Sequence, residues 1–368
     1  MKPSIGWQWR FLRAFLSGNT AKGPPFAVVV DVTERCNLNC LHCRRHSPLA
    51  PGSPGGGDFP LDRFLALCRE AKAWGVRKMV LIGEGEPLLH PGLIDMVAAA
   101  KGAGCQVTLL TNGTLLEGRR AEALVGAGLD ELRVSLWAAN EEEYRVLHPG
   151  ARPGMFQRAL KGVRSVVAAR GERGSAHPWI VVHRPIDPRF FRRIEGTVVL
   201  ARQLGGDAVS FSPVKPMLPQ DREQLLTAAE ERELLALLPD VARKARDAGL
   251  ADNTAELRGR LKIGRAVWER LPCYIGWIDV RIRVNGDVVP CDTCKWVLGN
   301  IHRQSLREVW SSPAYRDFRR LGRSPSGLVQ SGRHCMCDFC CHAITNARLD
   351  RLLKWWAPAT AGLKENRA

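Results

Sequence analysis

The sequence predicts an α/β protein in which six strand–helix units form an open, partial TIM-like barrel, followed by a smaller C-terminal unit. Two patterns support this fold: short apolar runs recur between residue 26 and about 212, and amphipathic helical stretches separate them. Strands that alternate with helices of this length form right-handed βαβ units and a parallel sheet. Six units are too few for a closed eight-stranded barrel, and in such barrels the chemistry lies at the carboxyl ends of the strands.

The elements of the barrel follow one another along the chain. The predicted strands cover residues 26–32, 78–82, 106–111, 131–136, 179–183 and 208–212. The predicted helices between them cover residues 61–74, 92–103, 117–126, 155–169 and 189–204, and a further helical region covers about 222–248. An amphipathic helix at residues 5–16 precedes the first strand, and we expect it to pack on the protein rather than on a membrane surface.

The C-terminal unit is predicted to be a β-hairpin followed by helices. Strands at 278–284 and 287–290 flank Asn285-Gly286, a pair that favours the positive φ angles of a type I′ turn. Helical segments follow at 305–318 and 343–356. These patterns divide the chain into an N-terminal helix (1–25), the barrel (26–215), a helical linker (216–272), the hairpin unit (273–345) and a C-terminal helix and tail (346–368).

Composition excludes several classes of protein. Of the 368 residues, 45% are hydrophobic and 25% are charged, which excludes wholesale disorder and a collagen-like fibre. No apolar run approaches the roughly 18 to 20 residues that a membrane helix needs. The net charge of +17 is compatible with an acidic partner, but no block of consecutive Lys and Arg marks a nucleic-acid-binding tail. We therefore expect neither a membrane nor a nucleic acid as a partner.

The cysteine content predicts metal binding. The chain has 12 cysteines, and its N-terminus carries arginines among the apolar residues, unlike a secretion signal. A disulfide scaffold would also be much shorter. We therefore expect a cytoplasmic protein whose clustered thiols are metal ligands. Cys68 and Cys105 lie outside the clusters and are predicted to be core residues.

Three cysteines directly follow the first strand, in the segment Cys36-Asn-Leu-Asn-Cys40-Leu-His-Cys43. Three thiolates on one loop can hold a [4Fe–4S] cluster through three of its irons, which leaves one iron open for chemistry. The spacing leaves one alternative, a structural zinc ion with His42 or His46 as its fourth ligand.

A glycine-rich loop, Gly83-Glu-Gly-Glu-Pro87, follows the second strand. Its glycines let the backbone approach a ligand closely, and Glu86 can accept a hydrogen bond from an ammonium group. The loop comes one βα unit after the cysteines and therefore lies on the same face of the barrel. This second loop favours a catalytic cluster over zinc.

With these two loops in these positions, the sequence resembles the radical S-adenosylmethionine (SAM) superfamily over residues 26–212. The resemblance implies that Cys36, Cys40 and Cys43 bind a [4Fe–4S] cluster whose open iron takes the amino and carboxylate groups of SAM. It implies a set of SAM-binding residues at the strand ends: His42, Glu84, Gly85, Glu86, Pro87, Thr111, Asn112 and Ser135. The family usually has glycine where Glu84 stands.

The chemistry that the resemblance implies is that of the cofactor. The reduced cluster passes one electron to SAM, a C–S bond breaks homolytically, and a 5′-deoxyadenosyl radical takes hydrogen from an unactivated carbon. An electron donor such as flavodoxin or ferredoxin would reduce the cluster.

A second set of cysteines lies near the C-terminus. Cys273 and Cys291 flank the predicted hairpin in the pattern Cys-x12-Gly-x4-Cys, which resembles the Twitch and SPASM extensions of radical SAM enzymes. The resemblance implies an auxiliary [4Fe–4S] cluster with the ligands Cys273, Cys291, Cys337 and Cys340. The cysteine spacings after Cys291 depart from the full SPASM pattern, so we expect one auxiliary cluster rather than two.

Alternatives remain for this second set. Cys294 or Cys335 could replace one of the four ligands. Cys291-x2-Cys294 and Cys337-x2-Cys340 also form two pairs like those of a zinc ribbon, so zinc is the alternative metal.

Asp292, directly after Cys291, is the candidate catalytic residue. In anaerobic sulfatase maturases the matching position is acidic and takes the proton released when a substrate radical is oxidised. The alternative is an aspartate that caps local backbone amides at the end of the hairpin.

The predicted activity is hydrogen abstraction from a polar small molecule, with the auxiliary cluster as electron acceptor or substrate ligand. Resemblance to single-auxiliary-cluster enzymes, such as aminocyclitol dehydrogenases, favours a carbohydrate or aminocyclitol substrate. The alternative is a maturase that forms a thioether, a carbon–carbon bond or formylglycine in a ribosomal peptide or protein. A non-catalytic iron–sulfur or zinc protein that binds nucleic acid is disfavoured by the two SAM-related loops.

Overall fold

A computed structural model describes residues 5–49, 55–215, 224–264, 266–333, 335, 337 and 340–356. The strands are β1 (Ala27–Asp31), β2 (Lys78–Ile82), β3 (Gln106–Thr111), β4 (Glu131–Ser135), β5 (Trp179–Ile186), β6 (Ala208–Pro213), β7 (Asp279–Ile282), β8 (Asp287–Val289) and β9 (Gly299–Asn300). They form one sheet in the order β6-β5-β4-β3-β2-β1-β7-β8-β9. Strands β1 to β7 run parallel, and β8 and β9 add antiparallel pairs.

Helices connect the parallel strands and cover the sheet. They are α1 (Ile5–Leu16), α2 (Leu61–Trp74), α3 (Leu93–Gly102), α4 (Arg119–Gly126), α5 (Glu141–Leu147), α6 (Met155–Glu172), α7 (Glu195–Gln203), α8 (Ala228–Asp247), α9 (Thr254–Ile263), α10 (Leu306–Trp310), α11 (Pro313–Gly322), α12 (Gly327–Gln330) and α13 (Ala343–Trp356). The local sequence determines where several of these helices begin. Helix α8, for example, begins with a capping box between Thr227 and Glu230.

The two faces of the sheet differ in polarity because successive side chains of a strand point to opposite sides. In β1, Val28 and Val30 are fully buried in the apolar core. The alternate residue Asp31 binds Arg281 of β7, and His183 of β5 lies on the same face of the sheet. The barrel therefore has an apolar outer layer, and its inner face carries polar side chains among apolar ones.

The sheet curves until its two ends meet at the carboxyl side. Lys215, two residues after β6, donates from Nζ to Oδ2 of Asp292, three residues after β8, at 2.7 Å. Because β6 and β8 lie near opposite edges of the sheet, this ion pair bridges the opening of a partial barrel. The predicted partial TIM-like barrel is confirmed, and β7 of the C-terminal hairpin extends the same sheet by pairing with β1.

The predicted type I′ turn of this hairpin is wrong. Gly286 has a φ of +80°, but Asn285 is not among the described non-glycine residues with a positive φ. The Gly286 amide donates to the Arg283 carbonyl at 2.9 Å, so the turn spans four residues and only its last one is left-handed. A Cβ added at Gly286 would lie 2.1 Å from the His302 ring, which gives glycine a second reason to stand there.

Helix α1 packs on the C-terminal unit, which confirms a packed N-terminal helix. Phe11 and Phe15 contact the Tyr274 ring at centroid distances of 5.8 and 5.5 Å, and Phe15 contacts Trp277 at 5.1 Å. The Arg323 guanidinium lies 4.3 Å from the centre of the Phe15 ring. Within the described ranges, no helix is long and apolar enough to cross a membrane.

Several helices differ from their predicted bounds. The segment predicted as one helix at 305–318 is α10 and α11, because Ser312 caps a new helix that starts at Pro313. Helix α7 begins at Glu195, later than predicted, after a 3₁₀ turn at Phe191–Arg193, and α5 was not predicted. Helix α13 crosses the boundary expected at residue 345/346, and the predicted linker and tail segments 216–223 and 357–368 lie outside the described residues.

Candidate active site

The cysteine loop after β1 and the glycine-rich loop after β2 lie against each other. The Gly85 amide donates to the Thr33 carbonyl at 3.0 Å, and the Glu86 amide donates to the Arg35 carbonyl at 2.7 Å. A Cβ added at Gly85 would lie 2.0 Å from the carbonyl oxygen of Arg35, so only glycine allows this approach. The structure therefore brings the two predicted loops together at the carboxyl end of the barrel.

The three thiols of the first loop fit a metal cluster by their chemistry. Burial raises the pKa of Cys36 to about 12 and that of Cys40 well above its ordinary value, and the charge of Cys43 raises both. Such thiols ionise when a metal displaces the proton, so the loop suits soft-metal binding better than free thiolate chemistry. The His46 amide also donates to Cys43 Sγ at 3.3 Å, and amide bonds of this kind tune iron-bound sulfur.

Glu86 is 2% exposed and ties the glycine-rich loop to the end of β3. Its Oε1 accepts from Thr111 Oγ1 at 2.5 Å and from the Leu88 amide at 3.1 Å, and its Oε2 accepts from the Asn112 amide at 2.7 Å. Burial raises the pKa of Glu86. Two carboxylate oxygens have about four acceptor directions, so room remains for the predicted ammonium contact, which stays a prediction.

The other residues predicted around SAM have identifiable roles in the two loops. Glu84 forms an ion pair with Arg45, two residues after the last cysteine, so its carboxylate is engaged within the cysteine loop. Asn112 Nδ2 donates to Asn37 Oδ1 at 2.9 Å, which links β3 to the cysteine loop. Pro87 is buried at the start of a 3₁₀ turn, and Ser135 is the half-buried last residue of β4.

His42 is held by an aspartate that the sequence analysis missed. His42 Nε2 lies 2.6 Å from Asp187 Oδ2, and the two side chains are only 4% and 2% exposed. Although burial opposes ionisation, hydrogen bonds from His42 and Arg189 hold the pKa of Asp187 well below its ordinary value. Asp187 directly follows β5, so the strand-end rule that selected Thr111 and Asn112 would also have found it.

Tyr144 is a second residue that was missed, because it lies on the unpredicted helix α5. Its hydroxyl is buried, and no hydrogen-bond partner exists for it among the described residues. Burial and then the charges of Cys40 and other groups of the site raise the pKa of Tyr144. This hydroxyl is a buried donor beside the cysteine loop that a bound group can satisfy.

The C-terminal cysteines predicted as auxiliary ligands come together. Burial raises the pKa of Cys273 well above its ordinary value, and the charges of Cys340, Cys291 and Cys337 raise it further. Burial and then the charges of Cys341, Cys291 and Cys337 raise the pKa of Cys340. The Cys340 amide donates to the Cys337 carbonyl at 3.0 Å, the tight turn expected of a Cys-x2-Cys pair. The donor set again suits a soft metal.

Apart from Cys341, whose charge also raises the pKa of Cys340, the remaining cysteines have other partners or lie in the core. Cys294 and Cys335, the two proposed replacements, form a disulfide with each other. Cys68 and Cys105 are buried core residues, as predicted. Among the described residues, no three His, Cys, Asp or Glu side chains are grouped so as to hold a single metal ion.

Comparison with known proteins identifies the family. Residues 30–186 match the profile described as the Radical SAM superfamily, and residues 273–343 match SPASM, described as an iron–sulfur cluster-binding domain. The chain belongs to the radical SAM superfamily. Its cofactors are therefore a [4Fe–4S] cluster, SAM and auxiliary iron–sulfur clusters that the SPASM domain binds.

Several radical SAM proteins are similar to most of the chain. The AdoMet-dependent heme synthase of Methanosarcina barkeri is 27% identical over 329 residues, which is 86% of this chain and 89% of that protein. The PqqA peptide cyclase of Gluconobacter oxydans is 28% identical over 320 residues, 82% of this chain and 80% of that protein. Streptococcus suis SuiB bound to S-adenosylmethionine has the same fold, with a TM-score of 0.65 and 19% identity over 91% of this chain and 77% of that one.

Asp292 of this radical SAM enzyme lies among cations. Although burial opposes ionisation, three neighbouring side chains hold the pKa of Asp292 well below its ordinary value: Lys215, Arg281 and Arg44. A carboxylate so stabilised is a weaker base than an isolated one. The role of Asp292 as proton acceptor stays a prediction. The alternative, capping of local backbone amides, does not fit, because the Asp292 carboxylate contacts Arg44, Lys215 and Arg281 instead.

Replacing Glu86 by glutamine is expected to weaken SAM binding about ten- to a hundredfold, because a charge-assisted bond to the ammonium is lost. The Glu86→Gln variant should also have a lower unfolding temperature. The NH₂ group of the glutamine side chain would face a hydrogen-bond donor that the Glu86 carboxylate now accepts from. SAM affinity, measured by calorimetry on the iron-loaded protein, checks the first expectation. Glu131→Gln, a buried carboxylate at the amino end of β4, is the matched control. Equal SAM affinity in both variants would move the ammonium contact elsewhere.

Replacing Asp187 by asparagine is expected to leave iron content unchanged and to weaken SAM binding about tenfold, because a carboxylate that orients a histidine is lost. Asp207→Asn serves as control: Asp207 accepts from the Ile180 amide at 2.7 Å at the amino end of the barrel. The measurement is the SAM dissociation constant with iron counted on the same samples. If both variants bind SAM equally, the Asp187–His42 pair stabilises the fold only.

Proposed function

We propose that this radical SAM enzyme abstracts hydrogen from a polar substrate bound between its two cysteine loops, and that the auxiliary site takes part in turnover. One observation carries the proposal. Arg44, one residue after Cys43, donates from Nη1 to the carbonyl oxygen of Asp292 at 3.0 Å. Asp292 follows Cys291, so a substrate at this junction lies beside both sets of thiols.

The chain's own residues bind, orient and exclude water. When bound, the catalytic cluster and SAM supply one-electron cleavage of SAM and a carbon radical that removes hydrogen from the substrate. Cys36, Cys40 and Cys43 would hold that cluster, and the loop anchored by Glu86 would hold SAM. Asp292 is the candidate to accept a proton at its carboxylate.

The interior of the barrel supports a polar small molecule of the carbohydrate or aminocyclitol type. His183 Nδ1 lies 3.4 Å from Ser210 Oγ, and its Nε2 lies 3.3 Å from Ser212 Oγ. Burial and then the charge of Arg133 lower the pKa of His183 to about 4, so its ring is neutral near pH 7. A neutral imidazole and hydroxyls both donate and accept, as recognition of hydroxyl groups requires.

A peptide is the second candidate substrate. Two PqqA peptide cyclases, from Gluconobacter oxydans and Streptomyces rochei, are 28% identical to the chain over 82% of its length. This similarity supports the alternative of a peptide maturase that forms a thioether, a carbon–carbon bond or formylglycine.

The test is the formation of 5′-deoxyadenosine by the anaerobically reconstituted protein with a flavodoxin or ferredoxin reducing system. We expect slow SAM cleavage alone and faster cleavage with the correct substrate. Pools of sugars and aminocyclitols form one arm, and short peptides encoded near the gene form the other. No 5′-deoxyadenosine from protein with full iron content would overturn the proposed function.

A further inference from the structure

A group of positive side chains lies where the two cysteine loops meet. Arg44 belongs to the first cysteine loop, Lys215 follows β6, and Arg281 lies on β7. Their carboxylate partners are Asp31 and Asp292. We call these five residues the mouth cluster, because they lie at or beyond the carboxyl ends of the parallel strands.

All three side-chain nitrogens of Arg281 donate hydrogen bonds to carboxylates. Its Nε and Nη2 donate to the two carboxylate oxygens of Asp31 at 2.9 and 2.7 Å, a bidentate pair, and its Nη1 binds Asp292. Asp31 is completely buried. This part of the mouth cluster therefore anchors β7 to β1.

Lys215 and Arg44 retain free binding capacity. Lys215 Nζ has three donors and, among the described residues, is bonded to Asp292 Oδ2 alone, at 2.7 Å, with its side chain 26% exposed. Arg44 Nη1 donates to the Asp292 carbonyl at 3.0 Å and lies 3.4 Å from Oδ2, with its side chain 33% exposed. Both cations thus reach solvent at the mouth of the barrel.

Charge in the mouth cluster is unbalanced. Among these five side chains, three cations face two carboxylates, which leaves one positive charge in excess before the neighbouring Cys341 is counted. Positive charges held close together at a half-buried site favour the entry of an anion.

We propose that Lys215 and Arg44 bind an anionic group of the substrate, a carboxylate or a phosphate; this inference rests on the proposed function. A guanidinium and an ammonium are the side chains that proteins use for such groups. An anion bound there would fix one end of the substrate at the junction of the two cysteine loops. The rival explanation is that these cations only balance the charge of iron–sulfur groups, since Lys215 also feels the charge of Cys341.

Chemical protection of Lys215 in the unchanged protein is the first test of the proposal. Full-length holoprotein saturated with SAM is treated with an acetylating N-hydroxysuccinimide ester, and acetylation of each lysine is followed by peptide mass spectrometry. The additions are succinate, inorganic phosphate, or sodium chloride at equal ionic strength. Lys101 is the matched control, because it is 30% exposed and pairs with Asp130 at 2.8 Å.

We expect succinate or phosphate to slow acetylation of Lys215 at least about threefold relative to chloride, with Lys101 unchanged, and the stronger of the two identifies the anion class. Arg44→Gln should raise the concentration needed for protection about tenfold. No protection beyond chloride, or equal protection of Lys101, would overturn the anion site and favour charge balance. Measuring 5′-deoxyadenosine on the same samples separates the anion site from the proposed function. Protection without SAM cleavage would contradict the proposed function and leave the anion site supported. SAM cleavage without protection would contradict the anion site and leave the proposed function supported.

Discussion

Replacing Cys36, Cys40 and Cys43 together by alanine is expected to remove about four of roughly eight bound irons and to abolish SAM cleavage. Thiols buried in this loop become iron ligands only by losing their protons, and alanine leaves no donor in their place. Iron analysis and 5′-deoxyadenosine measurement on anaerobically reconstituted protein check both expectations. SAM binding should fall as well, because the open iron is one of its ligands.

The matched control changes two cysteines that are not ligands. Cys68→Ala and Cys105→Ala remove buried thiols from the core, so they lower stability but should leave iron content and SAM cleavage near those of the wild type. A triple variant that still forms 5′-deoxyadenosine would show that the catalytic cluster lies elsewhere.

The barrel was predictable because its signals are local. Each strand is a short apolar run, and β-branched residues such as Val28 to Val30 favour extended backbone. The two SAM-related loops follow the first two strands directly, so topology alone places them on one face. The predicted hairpin failed in its turn type, because its loop begins two residues earlier, at Arg283, and leaves only Gly286 left-handed.

What the sequence could not predict depends on contacts between distant segments. The parallel pairing of β7 with β1 is accompanied by the Arg281–Asp31 ion pair, whose members are 250 residues apart. The pairing of His42 with Asp187 spans 145 residues. Neither contact has a local sequence pattern, and the same holds for the contacts of Asp292 with Lys215 and Arg44.

Replacing Cys291 and Cys340 by alanine is expected to remove about four irons, to preserve some uncoupled formation of 5′-deoxyadenosine and to abolish product. The thiols of Cys273, Cys291, Cys337 and Cys340 influence one another electrostatically, and they lie far in sequence from the glycine-rich loop. Removing them should therefore affect turnover of substrate rather than SAM. Product yield per 5′-deoxyadenosine is the measurement.

A matched control separates a redox role from a structural one. Cys294 and Cys335 lie in the same two segments but bind each other, so Cys294→Ala with Cys335→Ala should keep the full iron content and the product. Metal binding also contributes folding energy, so circular dichroism must show that the Cys291/Cys340 variant keeps its helices. Because β7 belongs to the barrel sheet, loss of the auxiliary site should loosen the hairpin ends before it disturbs β1. A folded Cys291/Cys340 variant with about four irons and normal product yield would make the auxiliary cysteines structural only.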